Sequence, residues 1–122
     1  MFQYLHFLKV NIMNVYQIVC ESVSDKISNQ VHIILNTAYD SAQLVQKICD
    51  KIGRNDTKVL ICVYSKYITI SKTCIKKLQI LLPKAITEED KRLIFKYIRY
   101  SELSIKRDQR TLIELNKKLQ LL

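Results

Sequence analysis

Apolar residues return along most of this chain at alternating steps of three and four. Leu5, Leu8, Ile12, Val15 and Val19, followed by Ser22, fall on one side of a 3.6-residue repeat and predict a helix over about 3–28. Asn29-Gln30 is a plausible break. A second stripe follows through Val31, Leu35, Ala38, Ala42, Val45, Cys49 and Ile52. It predicts a helix over 41–52, capped by Asp40 or Ser41, and leaves 31–40 open as either helix or strand. Gly53, the single glycine, falls just past the last apolar position, where a positive φ is wanted.

Between Lys58 and Ser71 the pattern changes. Val59, Leu60, Ile61, Cys62, Val63, Tyr64, Tyr67, Ile68, Thr69 and Ile70 are mostly β-branched or aromatic, which predicts strands over 58–70. Ser65-Lys66 is a poor hairpin turn because neither residue favours positive φ, so one bent strand competes with a hairpin. Ser71 can cap a helix over 72–82 whose inner face is Cys74, Ile75, Leu78, Leu81 and Leu82, with Pro83 ending it. Thr87 followed by Glu88, Glu89 and Asp90 is capping-box-like and suits the positive end of a helix dipole. The helix it opens, over 88–120, would be about 50 Å long. It should break near Tyr100-Ser101 or offer its distal part to a partner. The expected fold is therefore α+β and predominantly α-helical, with four helices and one β-hairpin or bent strand between the second and third. Residues 1–86 would form the compact part and 87–122 a long basic C-terminal helix.

Composition narrows the function without naming it. A chain of 122 residues holds one domain, and one Gly excludes Gly-rich phosphate-binding loops. The longest uncharged stretch, Ile27–Tyr39, is too short for a transmembrane helix, and residues 1–12 lack the charged leader and small-residue cleavage site of a signal peptide. Cys20, Cys49, Cys62 and Cys74 form no CxxC pair and sit in apolar segments. They read as free buried thiols, which places the chain in a reducing intracellular compartment. His6 and His32 lie on apolar-periodic segments of the neutral half and read as core or boundary histidines rather than catalytic bases, and no Cys/His cluster has metal-ligand spacing. Glu88, Glu89 and Asp90 diverge around a helix axis and form no aimed acid/base pair. The expectation is a protein with no catalytic residues, metal or cofactor.

Charge is more informative. Residues 1–57 carry five basic and five acidic side chains, whereas 58–122 carry 15 basic and six acidic, so the entire net charge of +9 belongs to the second half. Lys58 to Lys84 holds six lysines and no acid, with Lys72, Lys76 and Lys77 on the polar side of the 72–82 helix. Arg92, Lys96, Arg99, Lys106, Arg110 and Lys117 then repeat at helical spacing, interrupted only by Leu103 and Ile113. Together with Lys66, these residues are candidates for contact with a nucleic-acid backbone, with Tyr97 and Tyr100 available to stack on bases. The opposite seam, Ile94, Ile98, Ser101, Ile105, Asp108, Leu112, Leu115, Leu119 and Leu122, is heptad-like. Ile98, Ile105, Leu112, Leu115 and Leu119 are accordingly candidates for pairing with a second copy or a partner helix, which would make the chain an interaction adaptor.

Residues 15–93 carry a further pattern: Val15-Tyr16 and Val19 on a helix, Val31-His32-Ile33, Tyr39, Leu44 and Ile48, then Leu60-Ile61-Cys62-Val63, Ile75-Lys76-Lys77-Leu78 and the 84–89 segment. In that order the landmarks resemble the small late expression factor eleven proteins of baculoviruses and related insect DNA viruses. The resemblance implies a nuclear, non-enzymatic, self-associating accessory factor for viral DNA replication and late gene expression. The extension past Tyr100 is longer than the family pattern.

Overall fold

The computed structural model describes residues 26–121. The first helix, α1 (Ile27–Ile52), takes in the whole second apolar stripe. Its buried side is Ile27, Val31, Leu35, Ala38, Ala42 and Cys49, a set that only a helix brings to one face. The strand alternative at 31–40 is thereby excluded. Asn29 and Gln30 lie inside the helix rather than at a break, and Asn29 is buried. The rest of the helix expected over 3–28 lies outside the described residues. Gly53 ends α1 with φ +134°, its N–H donating to the Cys49 carbonyl at 2.9 Å. Only glycine takes that backbone angle without strain.

The largest correction concerns 57–81. In place of a hairpin or bent strand followed by a short helix, one continuous helix, α2 (Thr57–Leu81), spans both segments. No strand occurs among the described residues, so the fold is all-helical rather than α+β. The reason lies in tertiary packing. Val63, Tyr67, Ser71, Cys74, Leu78 and Leu81 are buried at steps of three and four, continuing one stripe through the supposed strand. β-Branched residues cost only a few tenths of a kcal/mol each in a helix, whereas a lone two-stranded hairpin is marginal in water. Asp56 caps α2, its Oδ1 accepting from the Lys58 N–H at 2.9 Å, while Ser71 is interior and buried.

A 3₁₀ turn (Leu82–Lys84) containing Pro83 leads to α3 (Glu88–Gln120). Thr87 caps α3 as expected, accepting from the Asp90 N–H at 3.1 Å. The helix is unbroken at Tyr100-Ser101. Thr87→Ala is expected to cost about 1 kcal/mol of stability, measured as a lower urea midpoint with unchanged slope.

Short connections make both neighbouring pairs antiparallel. Helix α2 is central: it packs along α1 on one side and α3 on another, while α1 and α3 touch far less. Val31, Leu35, Tyr67, Leu78 and Ile94 are fully enclosed and join the three helices into one core. The α3 seam turns toward this core, with Ile94, Ile98, Ser101, Ser104 and Asp108 buried. Ser101 donates to Cys74 Sγ at 3.8 Å across the α2–α3 contact.

Candidate functional site

Because the seam of α3 faces α2, the opposite side of the same helix must face outward. Arg92, Lys96, Arg99, Lys106, Arg110 and Lys117 are all exposed there. From Arg92 to Lys117 the stripe runs about 38 Å along an unbroken helix. Neither the Arg54–Asp50 nor the Lys91–Glu88 ion pair draws on a stripe residue.

Lys66, Lys72, Lys76 and Lys77 are also exposed, but on α2. They do not join the α3 stripe in one surface. The stripe points away from α2, while on α2 Lys66 and Lys77 border hollows shared with α1. The ten candidate residues therefore divide into a linear array on α3 and a separate group on α2.

Tyr97 and Tyr100 divide as well. Tyr97 is buried, its ring 6.0 Å from that of Tyr100 and in edge contact with His32 at 6.5 Å, and Lys96 Nζ lies 5.6 Å from its centroid. Enclosed in this way, Tyr97 is unavailable to stack on a base, and burial together with Tyr100 raises its phenol pKa. Tyr100 is 38% exposed, and Phe95, not singled out from the sequence, is 55% exposed on the same helix. His32 is half-buried and burial lowers its imidazole pKa, so it is a neutral boundary residue at pH 7. His6 lies outside the described residues.

Of the five seam residues considered for oligomerisation, Ile98 is buried in the intramolecular core, whereas Ile105, Leu112, Leu115 and Leu119 are half-buried. Asp108 lies in the same seam and is fully enclosed, with no hydrogen-bond partner for its Oδ2. Desolvation pushes its carboxyl above the ordinary carboxylate range, partly opposed by Arg107. Tyr64 and Tyr67 form an edge-on pair near it, and Tyr67 donates to Gln46 Oε1 at 2.9 Å. Burial raises both phenols, and the charge of Asp108 adds to each.

Cys49 and Cys74 are buried free thiols, but Cys62 is exposed, contrary to its apolar sequence context. It faces a hollow of about 370 Å³ between α1 and α2, walled by Val45, Ile48, Ile52, Val59 and Val63 and flanked by Lys58 and Lys66. The periodicity places Val45 and Ile52 on the inner stripe of α1 but gives no sign that they border an open space. A signal was present in Leu44, Ile48 and Ile52, a second apolar line beside the buried one.

No protein-family model, curated protein or solved structure matches the chain. The surfaces themselves must carry the functional reading. Among the described residues no three potential metal ligands lie together, and no helix is long and apolar enough to cross a membrane.

Proposed function

We propose that this chain is a small non-enzymatic, nucleic-acid-associated regulatory factor that lays the outer face of α3 along a phosphate backbone. The observation carrying this reading is the exposed stripe Arg92, Lys96, Arg99, Lys106, Arg110 and Lys117 on one unbroken helix. A straight cationic rod of this kind contacts phosphates by charge and spacing. It offers few groups for reading base edges, so counterion release dominates and sequence preference is weak. Lys66, Lys72, Lys76 and Lys77 supply a second basic surface that attracts polyanions at longer range.

The finer reading follows the resemblance to the late expression factor eleven family: a nuclear accessory factor for viral DNA replication and late gene expression, acting as a homo-oligomer. Its landmarks at Leu60–Val63 are helical here, so the likeness rests on the order of apolar and basic positions rather than on a strand. An interaction adaptor pairing through Ile105, Leu112, Leu115 and Leu119 is the alternative, and a partner helix would share that seam with α2.

The test is affinity for single- and double-stranded DNA and RNA as a function of salt, on nuclease-treated protein. Six phosphate contacts predict a log–log slope of about −5 on duplex DNA. A flat response between low and physiological salt would remove the proposal.

A further inference from the structure

The apolar hollow at Cys62 belongs to a longer feature. On α1, Ile34, Ala38 and Ser41 border a second hollow of about 150 Å³, and Val45, Ile48 and Ile52 border the first. These positions follow one another at helical steps. On α2 the same progression runs from Val59, Cys62 and Lys66 to Ile70, Thr73 and Lys77. The two hollows thus lie in line along one seam between antiparallel helices, a groove line of about 28 Å from Lys58 to Lys77. Next to it α1 exposes Leu44, Ile48 and Ile52, at 60%, 49% and 66%. Three large aliphatic side chains on consecutive turns, left in water beside an apolar trough, mark an interaction surface.

Shape and charge together specify the occupant. A trough open along its length between two helices receives a third helix by ridge-into-groove packing. It is too open to enclose a small molecule on most sides. Lys58, Lys66 and Lys77 line the groove, all from α2, and no Asp or Glu lines either hollow. A second copy of the same surface would bring lysine against lysine. We propose that the α1–α2 groove binds an amphipathic helix of a partner protein, of about five turns, with aliphatic or aromatic anchors and acidic residues along the edge facing α2. Recognition follows the helix-in-groove mode, anchors at i, i+4, i+7 and i+11 entering the trough while carboxylates meet the three lysines. The proposal does not rest on the nucleic-acid reading of α3, although Lys66 and Lys77 belong both to the groove and to the second basic surface. The α3 stripe points away from α2, so both surfaces can be occupied at once, and each proposal can fail without the other.

The test uses the full chain against two displayed libraries of helices about 20 residues long, with varied Leu, Ile and Phe anchors. One library is flanked by Glu and the other by Lys. The expected result is enrichment from the Glu library alone. The selected helices should slow alkylation of Cys62, mapped by mass spectrometry, by about tenfold or more. Ile48→Glu, at an exposed position that leaves the fold intact by circular dichroism, should abolish binding. Lys58→Glu with Lys66→Glu should weaken it by about tenfold or more and turn the preference toward Lys-flanked helices. Equal enrichment from both libraries, no enrichment, or binders indifferent to Ile48→Glu would overturn the proposal. Protection of Cys62 by dodecanoate without any helical binder would also overturn it, in favour of a small-amphiphile site.

Discussion

Replacing Arg99, Lys106 and Arg110 together by Glu is expected to weaken binding to a duplex by about a hundredfold or more at 100 mM salt. The three residues are half of the α3 stripe and occupy its middle. Each substitution removes a phosphate contact and places a like charge against the backbone. If the six contacts act through counterion release, losing three should also bring the salt slope from about −5 to about −3. The slope separates this mechanism from unfolding, because all three side chains are exposed. Substitutions at such positions change stability by about 0.5 kcal/mol or less each. The measurement is fluorescence anisotropy across a salt series, with thermal melting as control. An unchanged affinity would place any polyanion contact elsewhere, with the α2 lysines next in order.

Asp108→Asn is expected to stabilise the protein by about 1–3 kcal/mol at neutral pH, the cost of an enclosed carboxylate with an unsatisfied oxygen. Asp108 is 1% exposed and its Oδ2 has no partner, so little water screens the penalty. The pH dependence has a definite sign. The carboxyl is raised on folding from its ordinary value of 3.8, so between that value and its folded value the native state holds more protons than the unfolded chain. Its contribution is fully present below the unfolded pKa and lost as pH rises through the folded one. Urea midpoints across a pH series should therefore show a decline with rising pH in the native protein that the Asn variant lacks. A variant less stable than the native protein at neutral pH would mean that the carboxylate is compensated after all.

Helix α3 is legible in the sequence because three signals agree on it: a Thr cap, acidic residues in the first turn and an uninterrupted seam with a basic back. Helix α2 is not, because two of its signals conflict. Val59 to Ile70 is rich in residues that favour strands locally, and the face that makes it a helix is visible only when Val63, Tyr67, Ser71, Cys74 and Leu78 are read as one stripe across Ser71. Local preference there is worth less than the packing of that stripe between α1 and α3. Gly53 and the outward direction of the α3 stripe follow from spacing alone. The groove does not, since two helices each with a sound inner face can still meet at an angle that leaves their flanks open. Cys62 is the clearest instance: its neighbours are apolar, and it nonetheless stands at the edge of that opening. Tyr97 is the converse, an aromatic that spacing offers to bases and that packing encloses.

The central place of α2 has a kinetic consequence. Nearly all its partners lie within one helical hairpin on either side, so native contacts are short-range in the sequence, which favours folding in microseconds to milliseconds. During synthesis, however, α3 leaves the ribosome after α1 and α2. Until Ile94, Ile98 and the rest of the seam have emerged, one wall of α2 has nothing to lie against. The nascent α1–α2 hairpin then lacks the cover that Ser101 gives Cys74 for the seconds of translation that remain. Arrest within the α3 coding stretch should accordingly yield a chain that chaperones hold, even though every residue needed for its first two helices has already been made.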